Sequence, residues 1–176
     1  MNKVVYTAIF GGYDDVVEPT YRPDGWDFVC FTDTDLVSEF WEIRNVLPLY
    51  EDSTRNARRY KVLPHRWFPN HEISCWIDGN AQVRGDINEL LDYVQNVDFA
   101  TFDHNQCYLD PRNCVYEEAN AIISAGNRNT QNRPNEVPFD NPYYHYQDNP
   151  NLILKQMKRY QSENYPSQNG LLSSNV

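Results

Sequence analysis

Residues 3–12 read KVVYTAIFGG, and this stretch decides the fold. β-Branched and aromatic residues follow one another without a polar break, which is typical of a strand that is buried on both faces. The two glycines then end the strand in a tight turn. Strands of this kind belong mostly to parallel sheets covered by helices, so the stretch predicts an α/β protein whose first strand is Lys3–Phe10.

The rest of the chain alternates between strand-like and helix-like segments. Further strands are predicted in short apolar runs at Trp26–Phe31, Phe40–Val46, Ile73–Ile77 and Val97–Phe102. Helices are predicted from capping residues and helical spacing at Thr54–Leu63, Ile87–Gln95, Val115–Ser124 and Leu152–Tyr160. This alternation favours a mostly parallel central sheet flanked by helices. The Asn- and Pro-rich stretch Gly126–Pro150 is predicted to be an irregular excursion.

The composition indicates one globular domain over residues 1–176, with 40% hydrophobic and 23% charged residues. Asp and Glu outnumber Lys and Arg by 25 to 15, so the net charge of −10 argues against binding to nucleic acid or anionic lipid. No apolar run is long enough for a membrane span. The N-terminus reads as a strand rather than a signal peptide, so we expect a cytoplasmic protein with reduced thiols. Cys107 and Cys114 match no common zinc spacing.

Polar residues follow four of the predicted strands. The clusters are Gly11–Asp15, Thr32–Asp35, Asp78–Asn80 and Asp103–Asn105. The carboxyl ends of parallel strands lie at one edge of a sheet, and ligands of open α/β sheets bind beyond that edge. We therefore expect these clusters to gather there and to form a binding site.

The segment WIDGN at residues 76–80 delivers a carboxylate, a glycine and a carboxamide to that edge. The side-chain oxygens of Asp78 and Asn80, at positions i and i+2, can reach one hard divalent cation, and the glycine between them lets a phosphate approach the backbone. Mg²⁺ or Mn²⁺ bridging a diphosphate is the natural occupant. The alternative is a plain Asp-Gly-Asn turn without a ligand, which the tripeptide taken alone favours.

The predicted helix after Asp52 carries most of the basic residues near the expected site: Arg55, Arg58, Arg59, Lys61 and His65. Arg55 and Arg59 share one face, and the other three share a neighbouring face. Since the planar fork of Arg suits a diphosphate, this cluster would neutralise an anionic ligand inside an acidic protein. The alternative is a solvated basic face that balances acidic neighbours.

Four further residues are candidates with two open interpretations each. Asp14 and Asp33 follow strands, where they would hold a base or a ribose or would cap a turn. His104 follows a predicted strand and would bind metal or phosphate, or would be an ordinary exposed histidine. Glu118 opens a helix, where it would accept a sugar hydroxyl or would only favour the helix dipole. The chain has no Gly-rich phosphate loop.

Several blocks of sequence occur in a recognisable order: YTAIFGGYD at residues 6–14, CFTD at 30–33, RNARRYKVLPH at 55–65, WIDGN at 76–80, then Phe102–His104 and CVYEEA at 114–119. Together they resemble the glycosyltransferase-like family first catalogued as domain of unknown function 616. The resemblance covers about residues 4–120, and weaker similarity is present at Leu152–Tyr160 and Gly170-Leu171.

The resemblance implies a GT-A-type fold, a Rossmann-like sheet that binds a nucleotide-sugar at its strand ends. It also implies roles for individual residues. The nucleoside would be cradled by the first strand and its turn, including Thr7, Phe10, Gly11, Tyr13 and Asp14, with Asp33 near the base or ribose. The diphosphate would face Arg55, Arg59 and Lys61, the metal would bind Asp78 and Asn80, and the sugar would be bordered by His104 and Glu118.

Two departures from the family pattern accompany the resemblance. Asn80 replaces the second carboxylate of an ordinary Asp-x-Asp metal motif, which makes a weaker ligand. The family pattern also continues beyond Gly170-Leu171, so we expect the chain to be truncated at its C-terminal end.

The expected function is transfer of a hexose or pentose from a UDP- or GDP-linked donor to a glycan or other hydroxyl acceptor, with Asp78 and Glu118 as catalytic candidates. One alternative is a non-catalytic module that binds nucleotide or glycan. A nucleotidyltransferase ranks lower, because no Lys or Arg directly follows Gly11-Gly12.

Overall fold

The computed structural model describes residues 1–102, 114–131 and 150–164. The chain divides into two compact units, residues 1–98 and the part from Phe99 onward. The first unit contains β1 (Lys3–Ile9), β2 (Trp26–Thr32), β3 (Glu42–Asn45), α1 (Ser53–Val62), α2 (Pro64–Trp67), β4 (Ile73–Trp76) and a 3-10 helix (Ile87–Val94). The second contains α3 (Val115–Gln131) and α4 (Pro150–Ser162), which pack against each other. A single domain over residues 1–176 stays a prediction.

The four strands form one parallel sheet in the order β3-β2-β1-β4. Lys3 at the start of β1 lies beside Trp26 of β2 on one side and beside Ile73 of β4 on the other. The chain moves outward from β1 through β2 to β3, and α1 and α2 then return it to β4 on the far side of β1. This confirms the predicted Rossmann-like α/β fold, and its strand order reverses between β1 and β4.

Strand β1 is buried on both faces, as its uninterrupted apolar sequence predicts. Successive side chains point to opposite faces of the sheet, so Val4, Tyr6 and Ala8 pack beneath Tyr60 of α1. The opposite face is covered by a second apolar cluster that includes Val5, Ile9, Phe28, Trp41 and Val83, with Ile87 and Leu91 of the 3-10 helix against it. Two packed layers therefore hold β1 in place, and with it the turn that follows β1.

Helix α1 begins where Asp52 predicts. The Asp52 side chain accepts hydrogen bonds from the backbone N–H groups of Thr54 at 2.8 Å and Arg55 at 3.3 Å, which satisfies donors that have no partner inside the helix. One turn on, the buried Asn56 side chain accepts from the N–H groups of Leu49 and Tyr50 and donates to the Tyr50 carbonyl. The loop before α1 is therefore fixed to the helix.

The predicted strand Val97–Phe102 is wrong. Within the described part of the chain, these residues pair with no strand, and Val97, Phe99 and Phe102 are exposed. A strand requires a hydrogen-bonded neighbour and a core for its apolar side chains. The segment is largely apolar, but no neighbouring strand or packing surface accompanies it among the described residues.

The predicted helices at Val115–Ser124 and Leu152–Tyr160 are confirmed within α3 and α4. The first residues of the predicted excursion Gly126–Pro150 are helical rather than irregular, because α3 continues to Gln131. A single Gly in a helix costs only about 1 kcal/mol, and the first proline after it is Pro134. Residues 132–149 lie outside the described residues.

Candidate functional site

The loops after β1, β2 and β4 meet at the carboxyl edge of the sheet. The Gly11 N–H donates a hydrogen bond of 2.7 Å to Asp33 Oδ1, which ties the first loop to the second. Gly79 lies so close to the first loop that a Cβ on it would stand 2.9 Å from Ile9 Cγ1 and 3.7 Å from Asp14 Oδ2. Three of the four predicted polar clusters therefore gather at one edge, and Asp103–Asn105 lies outside the described residues.

We call these five residues of the three loops the rim: Gly11, Asp14, Asp33, Asp78 and Gly79. The rim lies at the carboxyl ends of β1, β2 and β4, and its Asp78-Gly79 side adjoins β1 where the strand order reverses. A crevice forms at such a reversal because the neighbouring connections leave in opposite directions, and ligands of open α/β sheets bind there. The topology therefore makes the rim the first candidate for a binding site.

Two glycines give the rim its backbone shape. Gly11 and Gly12 have φ angles of +68° and +61°, a left-handed conformation that side chains other than glycine rarely adopt. A Cβ on Gly11 would also collide with the Ser53 hydroxyl, so α1 begins directly against the turn after β1. Gly11 is therefore required for the close approach of helix and turn.

Asp78 is held by two donors from different elements. Its Oδ1 accepts a hydrogen bond of 2.7 Å from Trp76 Nε1 and one of 3.3 Å from Lys61 Nζ, and the ammonium also lies 5.4 Å from the centre of the Trp76 ring. The Asp78 and Lys61 side chains are 29% and 22% exposed, so the ion pair is partly open to solvent rather than in the core. The rim thus has one ammonium group fixed beside it.

The three basic residues that were predicted to face a diphosphate point to different places. Lys61 reaches Asp78 beyond β4, whereas the Arg59 guanidinium lies 4.7 Å from the centre of the Trp67 ring. Trp67 in turn packs against Phe31 of β2, on the other side of β1. Two helical positions that differ by two residues face different directions, which explains this separation.

Arg55 is exposed and pairs with Asp52 at 3.8 Å at the start of α1. Of these three residues, Lys61 is the one that pairs with Asp78, whereas Arg55 pairs with Asp52 and Arg59 lies over Trp67.

The side chains of Thr7 and Phe10 support the rim from within. They are 1% and 2% exposed, and the Phe10 ring stacks on Tyr60 with 5.7 Å between ring centres. Because β1 is buried on both faces, these side chains are covered by the protein itself. Tyr13, by contrast, is exposed in the loop after β1.

The rim is rich in negative charge. Burial raises the pKa of the Asp14 carboxyl, and the neighbouring charge of Asp15 raises this pKa further. Asp33 and Asp78 add two more carboxyl groups, against the one ammonium of Lys61. An anionic ligand at this edge therefore needs local positive charge.

The described donor set at Asp78 is a weak one for a divalent cation. Asp78 Oδ1 already accepts hydrogen bonds from Trp76 and Lys61, and Asn80 offers a neutral carboxamide on an exposed residue. Over residues 1–102, 114–131 and 150–164, no group of three His, Cys, Asp or Glu side chains could hold a metal ion. Mg²⁺ or Mn²⁺ therefore stays a prediction that the described residues do not support.

Two contributors to the site had no predicted role. Trp76 anchors the Asp78 carboxylate, and Ser53 contacts the Gly11 turn. The contact between Trp76 and Asp78 was predictable, because residues two apart on an extended chain point to the same side. The contact of Ser53 was not predictable, since the position of α1 over the turn depends on packing.

Glu118 and His104 are the two remaining predicted site residues. Glu118 is in the first turn of α3, in the second unit, and His104 lies outside the described residues.

A cleft of about 410 Å³ occurs at the amino-terminal end of β1 and β2, opposite the rim, and is lined by Lys3, Arg22 and Trp26 among others. Among the described helices, none is long and apolar enough to cross a membrane.

The strand order defines the class of this protein: a Rossmann-like α/β protein, with the candidate ligand edge at the reversal between β1 and β4. Residues 29–147, more than half of the chain, match the family described as TOD1/MUCI70, glycosyltransferase-like domain. The chain belongs to this family, and the predicted resemblance to a glycosyltransferase-like family is confirmed.

A curated relative from Arabidopsis thaliana is named "Probable hexosyltransferase MUCI70". It is 30% identical to this chain over 158 residues, which cover 77% of the chain and 26% of the relative. The chain thus spans about a quarter of that protein's length. No solved structure matches the chain.

Proposed function

We propose that the chain binds a nucleoside-diphosphate sugar, linked to UDP or GDP, at the rim and transfers the sugar to a glycan or other hydroxyl acceptor. The observation that carries this proposal is the meeting of the Gly11 and Gly79 loops at the reversal of the strand order. The family and the name of the Arabidopsis relative support a glycosyl group as the part that is transferred.

The rim suits the parts of such a donor. Gly12, next to Gly11, carries no side chain and a Cβ on it would meet nothing within 4 Å, so a phosphate can approach its backbone closely. Asp33, already positioned by the Gly11 N–H, is a suitable acceptor for ribose hydroxyl groups or a base N–H. Lys61 beside Asp78 supplies positive charge for the diphosphate.

The chemistry of the transfer is a substitution at the anomeric carbon. The acceptor oxygen forms a bond to that carbon, the bond from the carbon to the diphosphate oxygen breaks, and its electron pair leaves with the nucleoside diphosphate. The proton of the acceptor hydroxyl is released. Positive charge at the rim favours this step, because negative charge develops on the departing diphosphate. Glu118 and Asp78 remain the predicted catalytic residues, and His104 the predicted neighbour of the sugar.

Isothermal titration calorimetry with UDP, GDP and uridine tests the binding half of this proposal. We expect one nucleoside diphosphate to bind at least about tenfold more tightly than its nucleoside, since the diphosphate is the part that meets the rim. No binding of UDP, GDP or their sugars at millimolar concentration would refute the proposal.

A second candidate, binding without transfer, is favoured by Asn80, which stands where a second carboxylate is usual. It predicts that nucleotide binds while release of nucleoside diphosphate from a bound donor stays at the background rate. A coupled assay of UDP or GDP release, run with hydroxyl acceptors, separates the two candidates.

A further inference from the structure

We propose that Lys61, rather than a divalent cation, supplies the positive charge that holds the diphosphate at the rim, so that nucleotide binding needs no metal. This inference rests on the proposed function, because it names the group that recognises the diphosphate of the same donor. It opposes the prediction from the sequence, in which Asp78 and Asn80 hold Mg²⁺ or Mn²⁺.

The Lys61 ammonium is fixed at the rim before any ligand arrives. Its Nζ lies 3.3 Å from Asp78 Oδ1 and 5.4 Å from the centre of the Trp76 ring, and the side chain is 22% exposed. The backbone at this position is also fixed, because the Tyr6 hydroxyl donates a hydrogen bond of 3.0 Å to the Lys61 carbonyl. The charge therefore needs little reorganisation to meet a diphosphate.

One of the two carboxylate oxygens that a divalent cation would use is already engaged by the same contact. Asp78 Oδ1 accepts from the Trp76 N–H and from Lys61, and a cation bound there would lie close to the ammonium, which repels it. The residue two positions on is Asn80, whose carboxamide carries no charge. A site with one engaged carboxylate and one carboxamide is a weak competitor for a divalent cation.

The charge of the rim explains why the position of Lys61 matters. Asp14, Asp33 and Asp78 all belong to the rim, and Arg55 and Arg59 contact Asp52 and Trp67. Lys61 is the basic side chain that the described contacts place on the rim itself. As a compact cation on a flexible stem, it can turn from Asp78 toward phosphate oxygens by a small movement.

The two interpretations predict opposite effects for the change Asp78→Asn. The asparagine keeps an oxygen that accepts from Trp76 but loses the negative charge. If Lys61 holds the diphosphate, the change releases Lys61 from its ion pair and removes a repelling charge, so UDP or GDP binds more tightly. If a divalent cation holds the diphosphate, the change removes its charged ligand, and the nucleotide binds more weakly.

Calorimetric titration of the full chain with UDP and GDP, first in EDTA and then in MnCl₂, tests the inference. We expect the dissociation constant of the nucleotide that binds to agree within about threefold between the two conditions. In EDTA, Lys61→Ala should weaken binding by about tenfold or more, whereas Lys61→Arg, which keeps the charge, should weaken it less. The matched control is Arg66→Ala, which removes one positive charge from α2 and should leave binding unchanged.

The outcomes separate this inference from the function on which it rests. Nucleotide binding that appears only with Mn²⁺ and is lost in Asp78→Asn would overturn the role of Lys61 and leave the proposed function intact. Equal weakening by Lys61→Ala and Arg66→Ala would also overturn it, since net charge alone would then explain the effect. No binding of either nucleotide in both conditions would refute the proposed function, and the inference with it.

Discussion

Replacing Gly79 by alanine tests the close packing of the β4 loop against β1. An added Cβ would stand 2.9 Å from Ile9 Cγ1 and 3.2 Å from Ile9 Cδ1, well inside ordinary contact distance. Ile9 is buried in the apolar cluster beneath the rim, so it has little room to give way. Overpacking of this kind costs about 1–3 kcal/mol of the free energy of unfolding.

Replacing glycine by alanine also restricts the unfolded chain, which stabilises a protein by about 0.4–1 kcal/mol and partly hides that cost. The matched control is Gly85→Ala, because a Cβ on Gly85 would meet nothing within 4 Å and Gly85 is exposed. Both substitutions restrict the unfolded chain in the same way. The free energies of unfolding of the two variants should therefore differ only by the overpacking cost, about 1–3 kcal/mol. Urea denaturation followed by tryptophan fluorescence measures this difference. Equal unfolding free energies of the two variants would refute the packing of Gly79 against Ile9.

Two further predictions concern side chains that support the site. Asn56→Ala should lower the free energy of unfolding by about 1–3 kcal/mol, because its carboxamide satisfies the N–H groups of Leu49 and Tyr50 and the Tyr50 carbonyl; a loss in urea denaturation below about 0.5 kcal/mol would contradict this. Asp14→Asn should stabilise the fold relative to the parent chain more at about pH 7 than at about pH 3. Because the pKa of Asp14 is raised in the folded state, the parent loses stability as pH rises through that pKa. Urea denaturation at both pH values checks the sign, and a constant difference would contradict it.

Much of the fold could be predicted from the sequence, because the determining features are local. The apolar run of β1 cannot be exposed on either face, and this alone requires a covered sheet. Asp52 marks the start of α1 because its side chain accepts from the first free N–H groups of the helix. The gathering of the loops that contain Gly11, Asp33 and Gly79 followed from a rule of topology that holds for parallel sheets.

The parts that could not be predicted depend on packing between distant segments. Val97–Phe102 is largely apolar, as many strands are, but a strand exists only where a neighbour completes its hydrogen bonds. The directions of Arg59 and Lys61 depend on the rotation of α1 about its axis, which is set by Tyr60 where it packs against Phe31 and Phe10 of the sheet. The sequence shows a basic helix but does not show that its charges diverge.

The position of the bound nucleotide can be measured most directly by titrating the ¹⁵N-labelled chain with UDP or GDP and recording amide chemical shifts. If the diphosphate binds at the reversal between β1 and β4, the largest shifts should fall on the amides of Gly11, Gly12 and Gly79, with the Trp76 indole N–H shifted through Asp78. Shifts that cluster instead around Lys3 and Trp26, at the cleft on the opposite end of the sheet, would contradict this placement.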